Sequence, residues 1–213
     1  MSNNSSNISS FLKEGRSFNP SQAFSEQAQI KSYAEYEKLY RRSVDDPAGF
    51  WAEQAATHLD WVKQWDSVCS HDFNQIGTTN EPYVEWFKGG KLNVSVNCVD
   101  RHLATPRRNK AAIIWQGEEE QDTRILTYQE LHRAVCRMAN VLKQKGVKHG
   151  STVTLFMPMV PELPIAMLAC ARLGAIHSVV FSAFSEEALR SRIADSPSEV
   201  VITADVSFHG GKI

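Results

Sequence analysis

The stretch "STVTLFMPMVPELPIAMLACARLGAIHSVVF", Ser151 to Phe181, decides the fold. Its only full charges are Glu162 and Arg172. Such a segment first suggests a membrane span. Pro158, Pro161 and Pro164, with those two charges, leave no clean run of about 20 apolar residues, which rules that out. "STVTLFM" reads as a strand, "ELPIAMLACARL" as a helix stopped by Gly174, and "AIHSVVF" as a second strand. Strand, helix, strand at this spacing is a βαβ unit. Parallel strands covered on both faces read as continuous apolar runs, so the richness in carbon is structural.

The pattern continues on both sides. "SEEALRSRIAD" predicts a helix with Ser185 as N-cap and two acids in its first turn; Pro197 breaks it, and "SEVVITAD" is a third strand. Upstream, "AAIIWQGEEEQDTRILTY" is two apolar runs around an acidic stretch, the signature of a β-hairpin. Thr127 and Glu130 form a capping box. Leu131, Val135, Met138 and Leu142 make the buried stripe of the helix that follows, ended by Gly146. The implied class is α/β: an N-terminal helical cap, then the start of a parallel βαβ sheet.

The cap is read from aromatics. "SYAEYEKLYRRSV" carries Tyr33, Tyr36, Leu39 and Tyr40 on one helical side. Asp46 and Pro47 start the next helix, and Trp61 and Trp65, four apart, are expected to share a helical face. Core packing of a small helical unit is the expectation for these rings. The opening "MSNNSSNISS" has no basic or apolar signal region and is expected to be disordered. The predicted organisation is a polar tail over 1–28, a helical cap region over 29–105, and the first part of an α/β domain over 106–213. "ADVSFHGGKI" ends the chain in a loop, so the sheet is expected to be truncated.

With 213 residues, 22% charged and a net charge of −1, nothing points to nucleic acid or an anionic membrane as partner. Four scattered cysteines read as reduced thiols, and a cytoplasmic location is expected. The turns after the first two parallel strands, "MPMVPE" and "SAFSEE", lack the glycines of a dinucleotide fingerprint, which disfavours an oxidoreductase; a Walker loop is also absent. Cys69 with His71, and Cys98 with His102, are lone pairs without zinc spacing. No nucleophile elbow occurs, and no catalytic or metal-ligating residue is assigned. "HGGK", His209 to Lys212, sets two glycines between potential cations after a strand; it suits either a phosphate at the sheet's carboxyl edge or a plain surface turn. The same holds for "KGGK", Lys88 to Lys91.

The stretches "SYAEYEKLYRRSVDDPAGFWAEQA", "WFKGGKLNVSVNCVDRHL" and the run from "LTYQELHRAV" to "VVITAD" resemble, in order, the N-terminal part of AMP-forming acetyl-CoA synthetases, adenylate-forming enzymes. The resemblance implies a partial adenylate-forming N-terminal domain from an acetate:CoA ligase using Mg-ATP and CoA; a propionyl-CoA synthetase is the near alternative. It places part of the CoA site at His209, Gly210, Gly211 and Lys212, where the family carries a basic pair. A second element, Phe-Gly-Gly-Phe in the family, reads Phe181, Ser182, Ala183, Phe184 here. Lysine loses arginine's bidentate fork, histidine is partly charged near neutrality, and Ala183 lacks glycine's backbone freedom. The family's Ser/Thr/Gly-rich phosphate loop, its Tyr-Gly-x-Thr-Glu segment and its catalytic lysine do not occur in the 213 residues.

Two expectations follow. The first is an N-terminal piece of the synthetase, inactive alone and partnered by the C-terminal remainder, with no tightly bound cofactor. The second is a non-catalytic module with a weak hold, at most, on the 3′-phosphate end of CoA, or with only a protein-interaction surface. Within "WFKGGKLNVSVNCVDRH", Lys91, Asp100, Arg101 and His102 are expected to form a polar network joining the cap to the α/β body.

Overall fold

A computed structural model describes Gly15, residues 17–74 and residues 81–206. The chain divides into two compact units, with the boundary after Glu53.

The first unit is helical. Helix α1 (Gln22–Gln27) starts where the Ser21 hydroxyl accepts from the Phe24 amide, and α2 (Tyr33–Asp45) where Ser32 accepts from Glu35. Helix α3 (Pro47–His58) begins at the expected proline, and the Asp46 carboxylate accepts the Gly49 amide at 3.0 Å. Along α2, Tyr33, Tyr36 and Tyr40 lie with successive ring centroids 6.1 and 6.2 Å apart. They do not pack a core: Tyr33 is 77% exposed, and Tyr36 and Tyr40 are exposed too. Their rings contact one another along one side of the helix.

The first strands of the second unit are an antiparallel pair, β1 (Ser67–Asp72) and β2 (Tyr83–Lys88), in which Ser67 faces Lys88. Strand β1, "SVCSHD", has too little alternation to be recognised in the sequence. Trp61 and Trp65 also differ from expectation, because α3 stops at His58. Beyond it the backbone is extended, with Val62 and Lys63 donating to the Lys91 carbonyl. The two indoles still meet, edge to face at 4.9 Å, because both pack on Phe87. A short helix, α4 (Val94–Cys98), and a 3-10 turn at Asp100–His102 occupy the segment that the sequence left unassigned.

Strands β3 (Ala111–Gln116) and β4 (Thr123–Thr127) form the expected hairpin, with Ile114 opposite Ile125. Helix α5 (Tyr128–Gln144) starts on the capping box: the Glu130 amide donates to the Thr127 hydroxyl at 3.2 Å, and the Thr127 amide to the Glu130 carboxylate at 2.8 Å. Then come β5 (Thr152–Met157), α6 (Glu162–Leu173), β6 (Ile176–Phe181), α7 (Glu186–Asp195) and β7 (Val200–Thr203). The strands are parallel, in the order β6-β5-β7. The fold is α/β, N-terminal helices followed by the start of a parallel βαβ sheet.

The core lies between α5, α6 and the sheet. Leu131, Val135 and Leu142 of α5 meet Ala166, Ala169 and Cys170 of α6 and Val153 and Leu155 of β5, all buried. Each fully buried leucine or valine contributes about 1.5–3 kcal/mol. From β5 the chain steps out to β6, then returns across β5 to β7. Right-handed crossovers therefore set α6 and α7 on opposite faces. The direction of winding reverses between β5 and β7, and crevices for ligands form at the carboxyl ends of strands at such a reversal.

Candidate functional site

Each parallel strand hands over to a loop at that carboxyl edge. The Pro158–Pro161 loop after β5 is fastened to the β3–β4 hairpin. Trp115 donates its indole N–H to the Met159 carbonyl at 2.7 Å, and Arg124 pairs with Glu162 at 2.9 Å. After β6 comes a tight turn in which the Phe184 amide donates to the Phe181 carbonyl at 3.0 Å. The two phenyl rings meet edge to face at 5.9 Å, and the Arg192 guanidinium lies 4.4 Å from the Phe184 centroid. Ala183 sits exposed within this turn, and Ser185 caps α7 by accepting from Ala188. His209, Gly210, Gly211 and Lys212 lie outside the described residues. Ala183 is thus the one predicted CoA contact with a described environment.

The second glycine pair has a structural cause. Gly89 has φ +74°, and a Cβ there would overlap the Asp66 carboxylate; one on Gly90 would come within 2.7 Å of the Trp61 ring. Lys88 pairs with Glu85 at 3.1 Å, and the Lys91 amide donates to the Lys63 carbonyl at 2.8 Å. Glycine is needed here to let the turn close onto Trp61 and Asp66, and a phosphate plays no part in that reason.

The polar network expected in "WFKGGKLNVSVNCVDRH" has a different centre from its sequence reading. Asp100 receives both arms of Arg172, at 2.6 and 2.8 Å, and His132 Nε2 lies 3.3 Å from the same carboxylate. Ser95 accepts from Arg172 at 3.3 Å, and Asn93 donates to the carbonyls of Ala171 and Arg172. The Arg172 guanidinium holds the Asp100 carboxyl below the usual carboxylate range. Arg101 turns away, donating to the His58 carbonyl at 2.6 Å, and His102 packs on the Tyr128 ring. Burial, with Arg107 and Arg101 nearby, holds the His102 imidazole below its ordinary value. Among the described residues Lys91 contributes only its backbone, in a strand-like pairing with Lys63. Together these bonds pin the 93–102 segment to α6; they make a brace and leave no open acid–base pair. Arg172, His132 and Asn93 were missed in the sequence. The one available signal was Arg172 itself, a charge in an apolar helix that needs a partner.

Residues 36–98 match the family described as "Acetyl-coenzyme A synthetase N-terminus", and residues 99–212 the family described as "AMP-binding enzyme". The chain is similar to the acetyl-coenzyme A synthetase of Leptospira biflexa, with 52% identity over 193 residues, covering 91% of this chain and 28% of that protein. Acetyl-coenzyme A synthetase 2 of Pseudomonas putida is 53% identical over 178 residues, covering 84% of this chain and 26% of its own length. For the acetyl-coenzyme A synthetase of Chlorobaculum tepidum the identity is 49% over 201 residues, covering 94% and 29%. The chain thus spans little more than a quarter of the length of these relatives. It belongs to the AMP-binding enzyme family, in the acetyl-coenzyme A synthetase branch, of which it carries the N-terminal portion.

Proposed function

We propose that this chain serves acetate:CoA ligation as the N-terminal part of an acetyl-CoA synthetase. In that reaction an acetate oxygen attacks the α-phosphorus of Mg-ATP, and pyrophosphate leaves. The CoA thiol then attacks the acyl carbon of the acetyl-adenylate, and AMP leaves with the bonding electrons. Positioning and electrostatics carry most of such catalysis. The reading rests on one observation above others: about half the residues match acetyl-coenzyme A synthetases across both the helical and the α/β segments. The names of these relatives favour acetate over propionate.

This chain's own share is the outer end of the CoA site. The Phe181–Phe184 turn with Ala183, and His209, Gly210, Gly211 and Lys212 after β7, would receive the 3′-phosphorylated end of CoA. The 213 residues lack the phosphate loop and the catalytic lysine, so the chain does not form acetyl-adenylate alone. Mg-ATP and CoA are the cofactors of the whole reaction, and the C-terminal remainder of a synthetase is the partner. No nucleic acid or membrane enters this reading, and the location that goes with it is cytoplasmic. Among the described residues no helix is long and apolar enough to cross a membrane.

The test is acetate-dependent ATP–pyrophosphate exchange by the purified, folded chain. No exchange is expected, with exchange returning when a C-terminal synthetase fragment is supplied. Exchange by the chain alone would overturn the assignment of the ATP chemistry to residues outside it.

A further inference from the structure

We propose that Arg192 is a positioning residue: by holding the Phe184 ring it sets the Phe181–Phe184 turn to receive the 3′-phosphorylated nucleotide end of CoA. This rests on the CoA reading above. The turn leaves a parallel strand at its carboxyl end, where sheets of this kind take ligands. Its middle residues, Ser182 and Ala183, are small, and three contacts hold its shape.

Two grips close the turn from within: the amide bond from Phe184 to Phe181 and the edge-to-face contact of their rings. The third comes from α7, where Arg192 lies 4.4 Å from the centre of the Phe184 ring. Its guanidinium also donates to the Ala188 carbonyl at 3.4 Å, which aims it along the helix toward the turn. Its neighbour Arg190 does something else, pairing with Glu186 at 2.7 Å on its own helix. Among the described residues Arg192 makes no ion pair, so its charge is directed onto the ring. A cation over an aromatic face at an exposed site is worth about a two- to five-fold change in an equilibrium constant.

The test uses the full 213-residue chain and 3′,5′-ADP as probe, titrated by amide NMR. Wild type, R192K and the control R190M are expected to bind alike. R192M should bind about three-fold more weakly and F184L at least as weakly, with shifted Ser182 and Ala183 amides and unchanged thermal melts. Because F184L removes the ring on which Arg192 acts, together with the Phe181 ring contact, R192M added to F184L should cost nothing further. Two results would overturn the positioning role while leaving the CoA reading in place: R192M binding as tightly as wild type, or losses that add. If wild type does not bind 3′,5′-ADP, the CoA reading falls and takes this inference with it.

Discussion

Asp100 and Arg172, 72 positions apart, meet as a bidentate pair with contacts of 2.6 and 2.8 Å. The pair is half-buried, each side chain about a quarter exposed, and it ties a segment of short turns to the apolar helix α6. Planar guanidinium and carboxylate satisfy each other with two parallel bonds, a geometry that lysine cannot reproduce.

Removing one partner leaves the other poorly solvated. D100N and R172M are each expected to lower stability by about 1–3 kcal/mol. R172K should fall between them and wild type. Urea denaturation of the three variants checks this, and unchanged midpoints would show that the brace carries no stability.

The same pair sets an acid limit. Arg172 lowers the folded-state pKa of Asp100, so its stabilisation is present in full above the unfolded value, about 3.9. It is lost as pH falls through the lower, folded value. The stability difference between wild type and D100N should therefore be constant from neutral pH down to about 5 and shrink below about 4. A difference that grew on acidification would contradict the pairing.

Helix α5 depends on its first turn. T127A removes the hydroxyl that accepts from the Glu130 amide and should cost about 1 kcal/mol. T127S should restore most of it. Helical circular dichroism and a thermal melt report both.

Two glycines end helices for different reasons. Gly174 has φ +69°, and a Cβ there would come within 2.5 Å of the His149 ring. Gly146 has φ +87° but faces open space. G146A should cost about 1 kcal/mol, from backbone strain alone, and G174A more. Equal melting temperatures for the two variants would remove the steric argument.

Cysteine reactivity should split by burial. The Cys170 thiol is buried and its pKa is pushed up to about 11, while Cys98 is exposed. Iodoacetamide at pH 8 should modify Cys98 in the folded chain and Cys170 only in denaturant. Peptide mass spectrometry reads the order directly.

The run from Thr127 to Thr203 was legible because its signals are local. A Thr-x-x-Glu box, a stop at Gly174, a serine cap at position 185 and three short apolar strands each act within a few residues. These determined the α/β class and the parallel sheet. Ala183 and the residues after β7 were placed by family resemblance, since neither a small residue nor a pair of glycines between cations names a ligand by itself.

Only the tertiary structure decided which distant groups meet. Trp61 and Trp65 share Phe87 across an extended segment, although their spacing suggested a helix. Strand β1 exists because β2 supplies its ladder bonds, and "SVCSHD" has no amphipathic pattern that would announce it. Arg172 advertised its need for a counter-charge, yet nothing in its own neighbourhood named Asp100. Caps and periodicity are properties of consecutive residues and can be read along the chain. A salt bridge, a ring contact or a strand pairing depends on distances that exist only once the chain has folded back on itself.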